Sequence, residues 1–126
     1  LKSIEDIEKL EKTIGQLKAV HGEMSLLSKK SQNDAVNKFK LGMINKVIAS
    51  ANDVLGSDYR PFEDFEAFDT DELPSNSDVV FVIAQYLEEI ERFRTDNVVN
   101  HDYKWVYLIE GNPSEILADA KTRGKG

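Results

Sequence analysis

Between Asp58 and Asn97 an acidic, aromatic stretch, DYRPFEDFEAFDTDELPSNSD, runs directly into an apolar helix start, DVVFVIAQYL. The two halves follow different patterns, so the chain must change structure between them and bury the second against something apolar. The boundary is well marked. Pro74 precedes Ser75 and Ser77, either of which can cap a helix, and Asp78 in the first turn complements the helix dipole. A helix is predicted from here to about Asp96. Val79, Val82, Ile83, Tyr86, Ile90 and Phe93 recur at steps of three and four and form its core stripe. Phe81 falls about 160° away from Ile83, in a row with Gln85, Glu88 and Arg92. A Phe on that side is expected to be covered by a partner subunit or a stacked ligand, and not by its own core. The connection Ser57 to Ser77 is too long for a casual turn. Phe62, Phe65 and Phe68, spaced by three, predict one or two helical turns laid on the bundle, with Glu63, Asp64, Glu66, Asp69, Asp71 and Glu72 facing water. Pro61 and Pro74 bound it.

Two more helices precede this stretch. Ile4, Ile7, Leu10, Ile14, Leu17 and Val20 form one stripe only on a helix, predicted from Ser3 to about Val20 with Ser3 as its cap. Gly22 weakens it, and the stretch to Asn33 reads equally as loop, short strand or helix continuation. The heptad-like spacing is too short for an independent coiled coil and reads as a bundle helix. The second helix is expected from Asn33 or Asp34 to Leu55, closed by Gly56. Its apolar residues, Val36, Phe39, Leu41, Met43, Ile44, Val47, Ile48, Ala51, Val54 and Leu55, cover more than half its circumference. That exceeds a one-sided stripe. Either the other two helices sandwich it or part of it lies in a subunit interface. Beyond Asn97 the period changes to two: Tyr103, Trp105, Tyr107 and Ile109 alternate with Lys104, Val106 and Leu108, which predicts a strand. Gly111 to Ser114 makes a turn, and Ser114 to Ala118 returns as a second strand. The expected architecture is α+β, mainly α: one domain over residues 1–120, of three main helices and a small C-terminal β-hairpin, self-associating, with a disordered tail from Lys121 to Gly126.

Composition narrows the chemistry. A net charge of −7 works against binding a nucleic-acid polymer, whose affinity depends on phosphate neutralisation. A small phosphorylated ligand needs only a few convergent cations. The longest apolar run, Val79 to Ala84, is too short to span a membrane, and the charged N-terminus does not read as a secretory signal. The chain has no cysteine, which removes disulfides and thiolate metal sites. His21 and His101 sit on different segments, so neither a zinc triad nor a Ser-His-Asp system is supported. His21 reads as a packing residue and His101 as a loop residue. The carboxylates at Asp69, Asp71 and Glu72 lack the central Gly of a calcium loop. No phosphate-binding glycine motif or nucleophile elbow occurs. No catalytic residue, metal or cofactor is therefore assigned. Among the cations, Arg60 is distinctive, because Pro61 stiffens its backbone and Tyr59 and Phe62 flank it. Glu88 and Arg92 are spaced for an i,i+4 ion pair. Tyr103, Trp105 and Tyr107 on one strand face suit either core packing or base stacking.

The run from Leu41 to Asn97, LGMINKVIASANDVLG and then YRPFEDFEAFDTDELPSNSDVVFVIAQYLEEIERFRTDNV, resembles the small phage-encoded Thoeris anti-defence sponges. Those proteins sequester cyclic ADP-ribose-type signals made by bacterial TIR enzymes and release them unaltered. The resemblance covers about half of the chain and centres on Leu73 to Phe81 and Arg92 to Asn97. It implies a homo-oligomer, a dimer or higher, in the cytoplasm of an infected bacterial host, with ligand pockets between subunits. The matching ligand-binding positions are Arg60, Phe81, Arg94 and Asn97, with Trp105 nearby on the strand. One departure stands out: the family leads one to expect an arginine shortly after the last turn, and Ser114 to Asp119 holds none. Two other classes compete. One is an acidic inhibitor occupying a host nucleic-acid-binding protein; the other is an enzyme that cleaves a nucleotide signal.

Overall fold

The computed structural model of the protein describes residues 1–121. Three helices and a three-stranded antiparallel sheet follow in order: α1 (Ile4–Ser31), α2 (Lys38–Tyr59), α3 (Asn76–Asp96), β1 (Val98–His101), β2 (Lys104–Ile109) and β3 (Asn112–Leu117). The mainly helical α+β class is as expected. The expected tail lies, beyond Lys121, outside the described residues.

Helix α1 starts where its cap predicts, the Ser3 hydroxyl accepting from the Asp6 amide. It then continues through Gly22 to Ser31, so the ambiguous stretch is largely helix. Met24 is buried there and Leu27 packs on the core, extending the stripe by two turns. That burial outweighs the roughly 1 kcal/mol helix cost of one glycine.

Helix α2 begins later than predicted, at Lys38, with the Asn37 side chain as cap. The preceding residues are held instead by the chain ahead of α3. The Val36 amide donates to the Pro74 carbonyl, the Asn76 amide to Asp34, and Ala35 bridges Ser75. At the other end Gly56 leaves the helical conformation as predicted, with φ +65°, a region that favours glycine. Helical hydrogen bonding nonetheless carries past it to Tyr59.

The start of α3 lies beside the start of α2, so these two helices are parallel and the connection must return along the bundle. A rise of 1.5 Å per residue makes α2 about 32 Å long. The fourteen residues between Arg60 and Ser75 form no helix, against the expectation of one or two helical turns: a single turn, in which the Phe65 amide donates to the Phe62 carbonyl at 3.4 Å, leads into a stretched segment. The connection is a strap. Its rungs prove the point: Asn52 Nδ2 donates to the Phe65 carbonyl at 3.1 Å, and Asn45 both donates to the Phe68 carbonyl and accepts from the Phe68 amide, at 3.0 and 2.9 Å. Asn45 and Asn52 are seven positions, or about 10.5 Å, apart on α2, while the strap spans that gap in three residues. That is close to full extension. The three phenylalanines still face inward as expected. Phe65 sits edge-on to Phe68 at 5.1 Å, and both Phe62 and Phe65 lie 6.5 Å from the Tyr86 ring.

Helix α3 carries a full capping box between Ser75 and Asp78. Its phase is as predicted: Val79, Ile83, Tyr86 and Ile90 are buried, while Phe81 is 61% exposed. Val82 and Phe93 pack at the margin of the core. Arg92 pairs with Glu89 at 2.6 Å, three residues back, and not with Glu88 as the spacing predicted.

The hairpin expectation gains a strand. Val98 to His101 pairs with Lys104 to Tyr107, so β2 is central, and β3 begins at Asn112, two residues before the predicted start. Tyr103 is not in the strand at all: it occupies the turn with φ 65° and is fully exposed. Pro113 is tolerated because β3 is an edge strand. The sheet seals one end of the bundle through buried Val98 and Tyr107.

Candidate functional site

The five predicted ligand positions fall into two groups. Arg60 and Phe81 flank the strap, whereas Arg94, Asn97 and Trp105 gather where α3 meets the sheet. Phe81 and Arg94 are thirteen residues apart on one helix, about 20 Å. Within one subunit they do not converge.

Phe81 stands beside Phe62, Phe65 and Val82, and together these line a shallow apolar hollow bordered by Glu63 and Asp64. Arg60 lies behind it. Its guanidinium donates to the Phe65 carbonyl at 3.0 Å and to Glu66 Oε1 at 2.8 Å, so it clasps the strap and is not held ready for an outside anion. Its Nε is buried and unpartnered among the described residues. Glu66 itself is 73% exposed, which makes the ion-pair half of the clasp well screened and exchangeable.

Arg94 is a different kind of residue. Only 9% of its side chain is exposed, and it forks onto both Glu91 oxygens at 2.8 and 2.9 Å. Its remaining donors reach the Asp119 and Ala120 carbonyls, each at 2.9 Å. It therefore fastens the segment after β3 to α3. Asn97 closes α3, its amide group donating to the Phe93 carbonyl while its own carbonyl accepts from Leu108. Trp105 is half-buried against the core, and its carbonyl accepts from Ala118. Sequence set Arg60 apart by its Tyr59, Pro61 and Phe62 neighbours as an arginine ready for an anion; it is instead Arg94 whose more complete burial and committed donors distinguish it.

Arg94 also borders a cleft of about 700 Å³ between α1, α3 and the end of the sheet, with Glu11, Lys18, Glu91 and Tyr107 as its polar lining. Tyr107 donates to Glu11 at 3.1 Å. Burial first, and then the Glu11 charge, pushes the Tyr107 phenol up from 10.0 to about 12. The native state thus keeps a proton that the unfolded chain releases earlier. This contribution to stability is complete below pH 10 and lost as the pH rises through about 12. Urea unfolding across the alkaline range should show the wild type losing on the order of 2 kcal/mol more than Tyr107→Phe. Equal slopes would mean the phenol is not buried.

The residues that sequence reasoning missed are Asn45 and Asn52, which fasten the strap to α2. Two amides spaced by seven on an otherwise apolar helix face were the available signal. Tyr59 was seen only as a neighbour of Arg60; it donates to Asp96 at 2.5 Å, and the Arg92 guanidinium lies 4.5 Å over its ring. Among the described residues no three His, Asp or Glu side chains gather as a metal site, and no helix is long and apolar enough to cross a membrane. Compared with known protein families, curated proteins and solved structures, the chain matches none.

Proposed function

We propose that this chain is a non-catalytic binding protein that self-associates and sequesters a cyclic ADP-ribose-type nucleotide without cleaving it, counteracting a bacterial anti-phage signal. The observation that carries the reading is Phe81: a large aromatic, 61% exposed, on a rigid helix beside two further rings. Such a ledge offers a base a stacking surface worth about 1 to 3 kcal/mol. The sequence resemblance adds the ligand class. The separation of Phe81 from Asn97 and Trp105 fits a pocket assembled from two subunits, since one subunit cannot bring them to a single ligand. Arg60 is the better phosphate candidate of the two arginines, because an incoming anion has only to displace the exposed Glu66. Arg94 has its donors committed and serves the fold.

Capture of a signal requires binding below its working concentration, and a nanomolar dissociation constant corresponds to on the order of −12 kcal/mol. The test is to incubate the protein with a panel of cyclic ADP-ribose isomers, denature it and analyse what is released. Intact ligand in stoichiometric amount supports the reading; altered ligand assigns an enzyme instead. Phe81→Ala should abolish uptake while changing stability by less than about 0.5 kcal/mol, as exposed positions do. A core phenylalanine would cost about 3 to 5 kcal/mol instead.

A second reading is favoured by the strap. Glu63, Asp64, Asp69 and Glu72 project from an extended segment fixed along one side of the bundle, and all are exposed. A fixed row of carboxylates suits an inhibitor that occupies a basic, nucleic-acid-binding protein. No heat with any cyclic nucleotide at tens of micromolar protein would make this the better account.

A further inference from the structure

Arg60 and Arg94 each meet a glutamate, and they meet it differently. Arg94 presents its Nε and Nη2 as a fork, and each prong is filled by one Glu91 oxygen, at 2.8 and 2.9 Å. Arg60 has the same fork half made. Its Nη2 donates to Glu66 Oε1 at 2.8 Å and to the Phe65 carbonyl at 3.0 Å, while its Nε is buried without an acceptor among the described residues. The Nε and Nη2 of a guanidinium share one edge, and that edge is shaped for two oxygens of a single carboxylate or phosphate. Glu66 supplies one. A buried donor left without an acceptor is costly, so the free protein holds at Arg60 a vacancy for a second oxygen that Arg94 does not have.

Glu66 is also the replaceable partner. Its side chain is 73% exposed, and Arg60 is its one hydrogen-bond partner among the described residues. The strap does not depend on it: Asn52 holds the Phe65 carbonyl on one side, and Asn45 holds both backbone groups of Phe68 on the other. The Glu66 side chain can therefore swing away while its backbone stays fixed. A phosphate or pyrophosphate group carries more charge than a carboxylate and offers several oxygens, so it can take Nη2 and Nε together. Chloride, with one point of contact, cannot.

We propose that Glu66 is an internal competitor for a phosphate site on Arg60: it holds half of the fork in the free protein, and a phosphate or pyrophosphate group of the ligand displaces it and fills both halves. The inference rests on Arg60 as the phosphate contact of the proposed function, and it adds the group that guards that contact until the ligand arrives.

Titration with inorganic pyrophosphate, followed by NMR of the arginine Nε–H groups, tests the exchange. In the wild type the Arg60 Nε–H signal should move and the Arg94 signal should stay. Glu66→Gln should bind pyrophosphate about three- to fivefold more tightly, because an exposed ion pair no longer competes. Glu63→Gln removes the same charge from a side chain that has no hydrogen bond or ion pair with Arg60, and it should change the constant by less than about 1.5-fold. Both glutamates are exposed, so folding is not at stake. Equal affinity in the wild type and Glu66→Gln, an equal gain in Glu63→Gln, an unmoved Arg60 signal, or no pyrophosphate binding at millimolar concentration would each overturn the competition. Uptake of cyclic ADP-ribose isomers is scored separately. If none is bound while Glu66→Gln still tightens pyrophosphate, the nucleotide reading falls and the guarded phosphate site stands.

Discussion

Tyr86→Ala is expected to lower the unfolding free energy by about 3 to 5 kcal/mol, the range for removing a large aromatic from a packed core. The Tyr86 side chain is fully buried on α3 and touches both Phe62 and Phe65 of the strap. Its hydroxyl donates to Asn52 Oδ1 at 2.7 Å, and the same Asn52 holds the Phe65 carbonyl. Tyr86 is thus the point where α2, α3 and the strap are joined. Tyr86→Phe separates packing from polarity: it keeps the ring and leaves a buried acceptor unpaired, at a cost of about 1 to 3 kcal/mol. Urea unfolding gives both values, and limited proteolysis within residues 61–73 should speed up more in the Ala variant. If Tyr86→Phe were as stable as the wild type, the amide relay would contribute nothing, and the strap would be held by its phenylalanines alone.

Arg94→Ala is expected to cost about 2 to 3 kcal/mol, below the full loss for a buried ion pair because Glu91 retains some contact with water. The substitution removes both bonds to Glu91 and frees the carbonyls of Asp119 and Ala120. Arg94→Lys should recover only part of this, since an ammonium cannot fork onto a carboxylate and reach two carbonyls together. Thermal unfolding of the two variants measures the effect. Wild-type stability in Arg94→Ala, with nucleotide uptake lost, would reverse the assignment made above and return Arg94 to the ligand.

The residues that carry periodic information were legible in the chain alone. The phase of α3, with Ile83 inward and Phe81 outward, follows from a 3.6-residue repeat and is the same whatever packs on it. The Ser3 cap, the Ser75 and Asp78 box and the break at Gly56 are likewise local chemistry, decided within four residues. The strand around Trp105 showed in its period of two. The over-wide apolar face of α2 correctly announced packing on two flanks, α1 on one and the strap with α3 on the other, with Phe39 left over.

Distances between parts remote in sequence settled the rest. Phe62, Phe65 and Phe68 have a spacing that a helical turn would explain, but the segment from Phe65 to Phe68 is stretched between Asn52 and Asn45, two amides set seven residues apart on α2. Local pattern cannot supply those partners. Asn45 and Asn52 look like surface amides until the strap arrives to use them, because a side-chain amide gains a defined role only when a backbone is brought within 3 Å of it. Arg60 stood out in sequence by its neighbours, but only the fold shows that it meets a carboxylate at the solvent edge while Arg94 is enclosed by Glu91 and the segment after β3. β1 was missed because a four-residue strand, VVNH, carries too little periodicity to show before its partner β2 pairs with it. Residue order alone dictates which side of each element is apolar, because the helical and strand repeats are local; whether that side meets a partner within the chain depends on packing, and at Phe39 and Phe81 it does not.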